Sequence, residues 1–235
     1  REGDKNINSY VYPQYPMEKI MDTMRPIYEK AVADAKAADT PEKRRGVGIA
    51  WGGFNVTEGG GDSAEVALEL MPGNKIRKYD TWHAMGQGAT TGSLVVTLEA
   101  LKEMHLTPED IQLIQNDTKT CPDTGMAGAS RSLYMDGNAT IIAANKLLAA
   151  MRKEDGTLRT YDEMKAEGIE TKYLGRYETN TTPGLCRLDP NTGIGDPTPA
   201  FTYCLNLAEV EVDTKTGKTT VLKFTCVDFV GRIGN

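Results

Sequence analysis

The sequence predicts an α+β fold with a mixed sheet and hairpins, helices packed on one face, in two layers. Three observations carry this. Strand-like runs occur singly between helices and also as tight pairs. Helical spacing of apolar residues recurs in three stretches. No regular strand–helix alternation runs through the chain, which argues against a doubly wound sheet.

The elements follow in order. Residues 1–15 read as a polar extended arm. From Pro16 to about Asp39, Ile20, Met24, Ile27, Ala31 and Ala35 recur at helical spacing, and Pro26 is expected to kink or divide that helix. The charged run 41–45 reads as a solvated surface link. A buried strand is expected over 46–53, a glycine loop over 58–62, and a hairpin of strands 63–71 and 75–82 joined by Pro72-Gly73-Asn74. A helix then runs to about Met104, with Leu94, Leu98 and Leu101 on its apolar side. Thr107-Pro108-Glu109-Asp110 has the order of a helix start but leaves room only for a turn before strand 111–114. A polar loop precedes a long core helix ending near Arg152. Thr160 and Glu163 form a capping box opening a short helix. Strand 172–180, loop 181–199 and a closing hairpin, 201–212 with 218–230, complete the chain.

Composition narrows the function. The chain has 235 residues, enough for one large domain or two small ones, with 39% hydrophobic and 26% charged residues, as in soluble globular proteins. A net charge of −6 argues against a broad nucleic-acid or acidic-membrane surface, and no run of 18 apolar residues occurs. Four Cys without a Cys-x-x-Cys pair, and two His, leave no protein-ligated metal site to expect. Free thiols suit a reducing cytoplasm. The chain reads as a piece of a longer protein, with residues 1–45 an N-terminal arm and helix and 46–235 a cofactor-binding portion.

Two glycine loops carry the chemistry. Met85-Gly86-Gln87-Gly88 lies between a strand and a helix start, and Gly128-Ala129-Ser130-Arg131-Ser132 precedes the long helix. Two converging helix starts would offer free N–H donors to a phosphate or other oxyanion. Gln87 would add an amide, Ser130 a hydroxyl and Arg131 a charged fork. His83 and His105 stand alone, and loop residues Asp117 and Asp123 read as turn caps. No Walker A or Gly-x-Ser-x-Gly sequence occurs. The residues alone give an anion- or cofactor-binding domain of undetermined reaction.

Met85-Gly86-Gln87-Gly88, then Gly128-Ala129-Ser130-Arg131-Ser132 and Asp136-Gly137-Asn138-Ala139, resembles the molybdenum-binding domain of the xanthine dehydrogenase and aldehyde oxidoreductase family. Thr160 to Lys165 and the hairpin from Ala208 to Gly217 are similar as well, so the resemblance covers most of the chain from Gly46 onward. It implies molybdopterin, in its cytosine dinucleotide form, carrying molybdenum. It implies that Gln87 faces an oxo ligand of the metal and acts in catalysis. Gly86, Gln87, Gly88, Gly128, Ala129, Ser130, Arg131 and Ser132 would contact the cofactor. The metal is held by the pterin dithiolene, so no protein metal ligand is needed.

The implied parent oxidises an aldehyde or N-heterocycle with oxygen from water. It passes electrons to iron–sulfur clusters, and in some cases flavin, in another domain or subunit, and a homodimer is compatible with this organisation. The family's general-base Glu and its Arg-Gly-Phe-Gly-Gly loop lie outside this chain, so the piece alone is expected to be inactive. The alternative is a non-catalytic nucleotide- or phosphate-binding module, or a scaffold for a partner subunit.

Overall fold

The structure, a computed structural model, describes residues 3–5, 15–56, 62–179, 189–195 and 200–230. In chain order the elements are α1 (Met17–Ala38), β1 (Lys43–Val56), β2 (Ser63–Met71), β3 (Lys75–Asp80), α2 (Ala89–Ala100), β4 (Ile111–Gln115), α3 (Ser132–Met151), α4 (Tyr161–Ala166), β5 (Lys172–Glu178), β6 (Ala200–Asp213) and β7 (Thr219–Phe229). Expectations for the arm, the 58–62 glycine loop and the 181–199 loop fall largely outside the described residues.

Contacts divide the chain into two units, one from residues 1–55 and 200–233, the other from 56–199 with 234–235. This differs from the division expected at residue 45. The reason is that α1 packs with the last hairpin: its Ile20, Met24 and Ala31 are buried in one cluster with Leu205 and Leu207 of β6. Each large apolar side chain so buried contributes ~1.5–3 kcal/mol. The helix runs unbroken through Pro26. The strands of this first unit lie in the order β1-β6-β7, with β6 and β7 antiparallel. Their turn is held by Asp213, whose carboxylate accepts the N–H groups of Lys215 (2.9 Å) and Thr216 (2.8 Å).

The charged run 41–45 is not a free link. Strand β1 begins at Lys43. Lys43 and Arg45, two residues apart and so on one face, both reach Glu211 of β6, at 2.7 and 3.1 Å. A strand neighbour bearing the opposite charge draws this basic segment into the sheet.

The second unit holds a four-stranded sheet in the order β4-β3-β2-β5, antiparallel except for the parallel β3–β4 pair. Alternation along β2 sends Val66, Leu68 and Leu70 inward. Glu65 points outward to Arg176 (2.8 Å), and Glu69 to the Tyr79 hydroxyl. Helix α3 covers the inner face with Ala143, Ala144, Leu147 and Met151, packed against Leu68, Leu70 and Ile76. Gly175 of β5 sits where α3 comes closest. A Cβ there would lie 2.0 Å from the Ala139 carbonyl oxygen and 2.6 Å from the Ala143 nitrogen.

The capping box of α4 forms as the sequence indicates: the Thr160 hydroxyl accepts the Glu163 N–H (3.3 Å) and Glu163 accepts the Thr160 N–H (2.7 Å). A hydrogen bond from Lys153 and the Thr160 N–H hold the Glu163 carboxyl down to about 2. Among the described residues, no helix is long and apolar enough to cross a membrane.

Candidate functional site

Strand β3 ends at Asp80, and the chain turns through residues 81–88 into α2. Gly86 (φ +97°) and Gly88 (φ +84°) are left-handed on either side of Gln87, a conformation that disfavours L side chains. The loop orients the Gln87 amide. Its Oε1 accepts the Met85 N–H, and its Nε2 donates to the His83 carbonyl (2.9 Å). The oxygen meets a donor and the nitrogen an acceptor, so the amide has one consistent orientation. Those two bonds leave the second Nε2 hydrogen directed elsewhere.

The second loop follows β4. Asp117 accepts the Lys119 N–H (2.9 Å), and Asp123 accepts the Gly125 N–H (2.8 Å), so both act as turn caps. Ala129 (φ +47°) and Ser130 (φ +52°) are two consecutive non-glycine residues in the left-handed region. Each such residue costs ~1–2 kcal/mol, and strain of this kind persists where surrounding bonds over-determine the backbone.

The two loops border one cleft of about 350 Å³. Gln87, Gly88 and Ala89 line it from one side, and Gly128, Ser130 and Ser132 from the other. Trp82, Met85 and Leu133 supply an apolar wall. Helices α2 and α3 both start at this cleft, and neither carries a side-chain N-cap. Their first-turn N–H groups, which have no intrahelical acceptors in any α-helix, therefore lack a capping side chain as well. Among the described residues, no carboxylate lines the cleft. Such a donor-rich, acid-free set suits an anion, and the apolar wall suits a flat ring. Gly86 and Ala129, also expected at the site, shape the loops without lining the cleft.

Arg131 departs from the expectation of a cofactor-contacting fork. Its side chain is buried and turned away from the cleft. Nε and one terminal nitrogen donate to the Asp62 carboxylate, at 2.6 and 2.8 Å. The remaining donors reach the carbonyls of Ser63 (2.9 Å), Thr124 (3.0 Å) and Met126 (2.6 Å). All five guanidinium hydrogens are thereby used within the protein.

Behind the cleft lies a buried charge cluster. Lys78, Asp80 and Asp136 are all fully buried. The Lys78 ammonium donates to Asp136 (2.6 Å) and lies 3.5 Å from Asp80. Asp80 also accepts from Ser93 of α2 (2.8 Å), Gln115 of β4 (2.8 Å) and the Trp82 N–H (3.2 Å). One cluster thus ties β3, β4, α2 and α3 together next to both helix starts. Burial pushes the Asp136 carboxyl up to about 6, against the pull of Lys78 and with a further push from Asp80. Its Oδ1 is buried without a hydrogen-bond partner, as is Trp82 Nε1. The sequence reading passed over this cluster, although its signal was present: period-two alternation in β3 puts Lys78 and Asp80 on the same face as the buried Ile76.

Comparison with known proteins adds identity to this geometry. The profile of a family described as the molybdopterin cofactor-binding domain matches residues 23–235. The aldehyde oxidoreductase of Megalodesulfovibrio gigas is 35% identical over 235 residues, which is 100% of this chain and 26% of that protein. The crystal structure of the aldehyde oxidoreductase from Desulfovibrio desulfuricans matches 100% of this chain and 25% of its own, with a TM-score of 0.92 and 39% identity. The CO dehydrogenase from Oligotropha carboxidovorans matches 94% of this chain and 31% of its own, with a TM-score of 0.64 and 18% identity, a likeness of fold alone. The chain spans about a quarter of the length of the two aldehyde oxidoreductases.

Proposed function

The chain belongs to the molybdopterin cofactor-binding domain family, and from that premise we propose that the Gln87–Ser130 cleft holds molybdopterin in an enzyme that oxidises an aldehyde or N-heterocycle. The carrying observation is that two uncapped helix starts and the Gln87 amide border one acid-free cleft. The residues fit such a group: backbone N–H donors and the Ser130 and Ser132 hydroxyls for its phosphate, Trp82 and Leu133 for its ring. The orphaned Trp82 Nε1 lies in the same wall.

In this reading, Gln87 would contribute through its second Nε2 hydrogen, available to donate to the bound group, while Met85 and His83 hold the amide still. A preoriented donor stabilises developing negative charge without reorganising during the reaction. Gly88 and Gly128 let the backbone approach closely. When bound, the molybdenum–pterin group supplies a two-electron oxidation in which water provides the oxygen. We place the cytosine dinucleotide form here, with electrons passing to iron–sulfur clusters in another domain or subunit. The cytoplasm is the compartment that suits Cys121, Cys204 and Cys226 as free thiols.

The test is compositional. Protein purified from cells supplied with molybdate is analysed for molybdenum and, after acid hydrolysis, for CMP. Near-stoichiometric amounts of both support the reading. Bound phosphate or nucleotide without metal would favour a non-catalytic binding module, and finding no bound group at all would overturn the cleft as a ligand site.

A further inference from the structure

Resting on the cleft as a ligand site, we propose that Arg131 and Asp62 are positioning residues rather than ligand contacts: together they hold residues 124–131 in the conformation that directs Ser130 into the cleft. The guanidinium faces opposite ways at once. On one side it binds the Asp62 carboxylate at two points, 2.6 and 2.8 Å, and the adjoining Ser63 carbonyl. On the other it binds the carbonyls of Thr124 and Met126, which flank Gly125. It therefore fastens the loop to the start of β2. A planar fork with five fixed donors can do this, whereas an ammonium, a single point of charge, cannot reach all the acceptors.

Two backbone features match this role. Gly125 is left-handed (φ +78°), and a Cβ there would lie 2.8 Å from both terminal nitrogens of Arg131. That contact would be easy to relieve against a free side-chain end, but these nitrogens are pinned by their own bonds. Farther along, Ala129 and Ser130 hold left-handed conformations immediately before Arg131. The Arg131 N–H closes the turn onto the Gly128 carbonyl (2.9 Å). Side chain and backbone of one residue thus fix both ends of the segment whose Ser130 and Gly128 line the cleft. A direct phosphate ligand would need at least one guanidinium donor aimed at the cleft, and all five are aimed away from it.

The test measures hydrogen exchange and ligand retention on the cofactor-loaded protein. The reporter amides are Thr124, Gly125 and Arg131, each hydrogen-bonded in this region. The control amides are those of α3 from Thr140 onward. In Arg131→Lys, exchange at the reporters is expected to rise about tenfold or more, equivalent to ~1.4 kcal/mol. The control amides stay unchanged, and molybdenum dissociates about tenfold faster by the same conversion. Asp62→Asn should act in the same direction. Gly125→Ala keeps the charge but displaces the fork, so it decides the matter if Arg131→Lys fails to fold. Unchanged reporter exchange in both Arg131→Lys and Gly125→Ala would overturn the proposal, as would faster molybdenum loss without faster reporter exchange, the pattern of a direct ligand. If the unmodified protein carries no cofactor, the reading of the cleft fails, and the exchange measurements still decide the positioning role.

Discussion

Gly175→Ala is the most direct probe of how α3 is set over the sheet. The added Cβ would meet the Ala139 carbonyl oxygen at 2.0 Å, the Ala143 nitrogen at 2.6 Å and the Ala139 carbonyl carbon at 3.1 Å. All three are helix backbone, so no side-chain rotation relieves the clash. Restoring an ordinary separation of ~3.4 Å requires strand and helix to part by more than ~1 Å, in an interior packed like an organic crystal. Overpacking of this sort costs ~1–3 kcal/mol, and a rigid backbone contact belongs at or above the upper end. Replacing a strand glycine returns ~0.5–1 kcal/mol. The net expectation is a loss of about 2–3 kcal/mol, a large share of the ~5–15 kcal/mol that folds a domain. In urea, with m of ~1–3 kcal/mol/M, the midpoint should fall by about 1–2 M. Gly137→Ala on the same helix is the counter-experiment. Its Cβ would meet Val96 at an ordinary 3.7 Å, and a helix-interior alanine is favoured by ~1 kcal/mol. A Gly175→Ala midpoint equal to or above that of the unmodified protein would refute the close approach.

Three further outcomes follow from the site. Asp136, ordinarily 3.8, is raised to about 6, so its contribution is full below the unfolded value and is lost as pH rises through 6. The gap of about two pKa units corresponds to ~3 kcal/mol. Denaturant midpoints of Asp136→Asn, subtracted from those of the unmodified protein between pH 4 and 7, should slope in that sense, and a flat difference would count against the burial. Lys78→Met leaves two buried carboxylates facing each other and should lose ~3–5 kcal/mol at neutral pH. The loss should shrink near pH 5 as Asp136 takes a proton, and an equal loss at both pH values would contradict the cluster. Gln87→Glu replaces the donor to the His83 carbonyl with an acceptor, so cofactor retention should weaken by roughly ten- to a hundredfold at ~1–3 kcal/mol. The thermal midpoint should hardly move, since Gln87 is exposed; a fall in the midpoint without loss of cofactor would reverse the assignment.

Much of the fold was legible because its signals are local. The β2–β3 hairpin is announced by Pro72-Gly73-Asn74, the last hairpin by alternation and its Asp213 turn, and α4 by a capping box that forms in full. The glycine loops were legible as helix entries, and both border one cleft. What stayed hidden depends on partners distant in sequence. Arg131 looked like an anion fork because the sequence does not reveal that Asp62, 69 residues earlier, occupies it. Lys43 and Arg45 are exposed as expected, but their shared partner Glu211 was not legible, because it lies 168 and 166 residues away. Lys78 broke the habit of reading lysine as exposed, and only strand parity argued otherwise. Pro26 was expected to kink or divide α1; it does not divide it, and the helix continues through it, packed on Leu205 and Leu207. Tertiary packing outweighs local propensity at that point.

The pairing of β1 with β6 also dictates an order of events during synthesis. Strand β1 ends at Val56, and its neighbour β6 begins only at Ala200. Every strand of the other sheet, and α2, α3 and α4, lie between them. The ribosome therefore releases the segment that carries these elements and their core before β6, the described neighbour of β1, has been made. At ~5–20 residues per second, that interval lasts roughly seven to thirty seconds. Glycine-rich β1, whose Ile49, Trp51 and Phe54 stay exposed even beside β6, waits that long without its β6 ladder, with its backbone groups within reach of chaperones or neighbouring nascent chains.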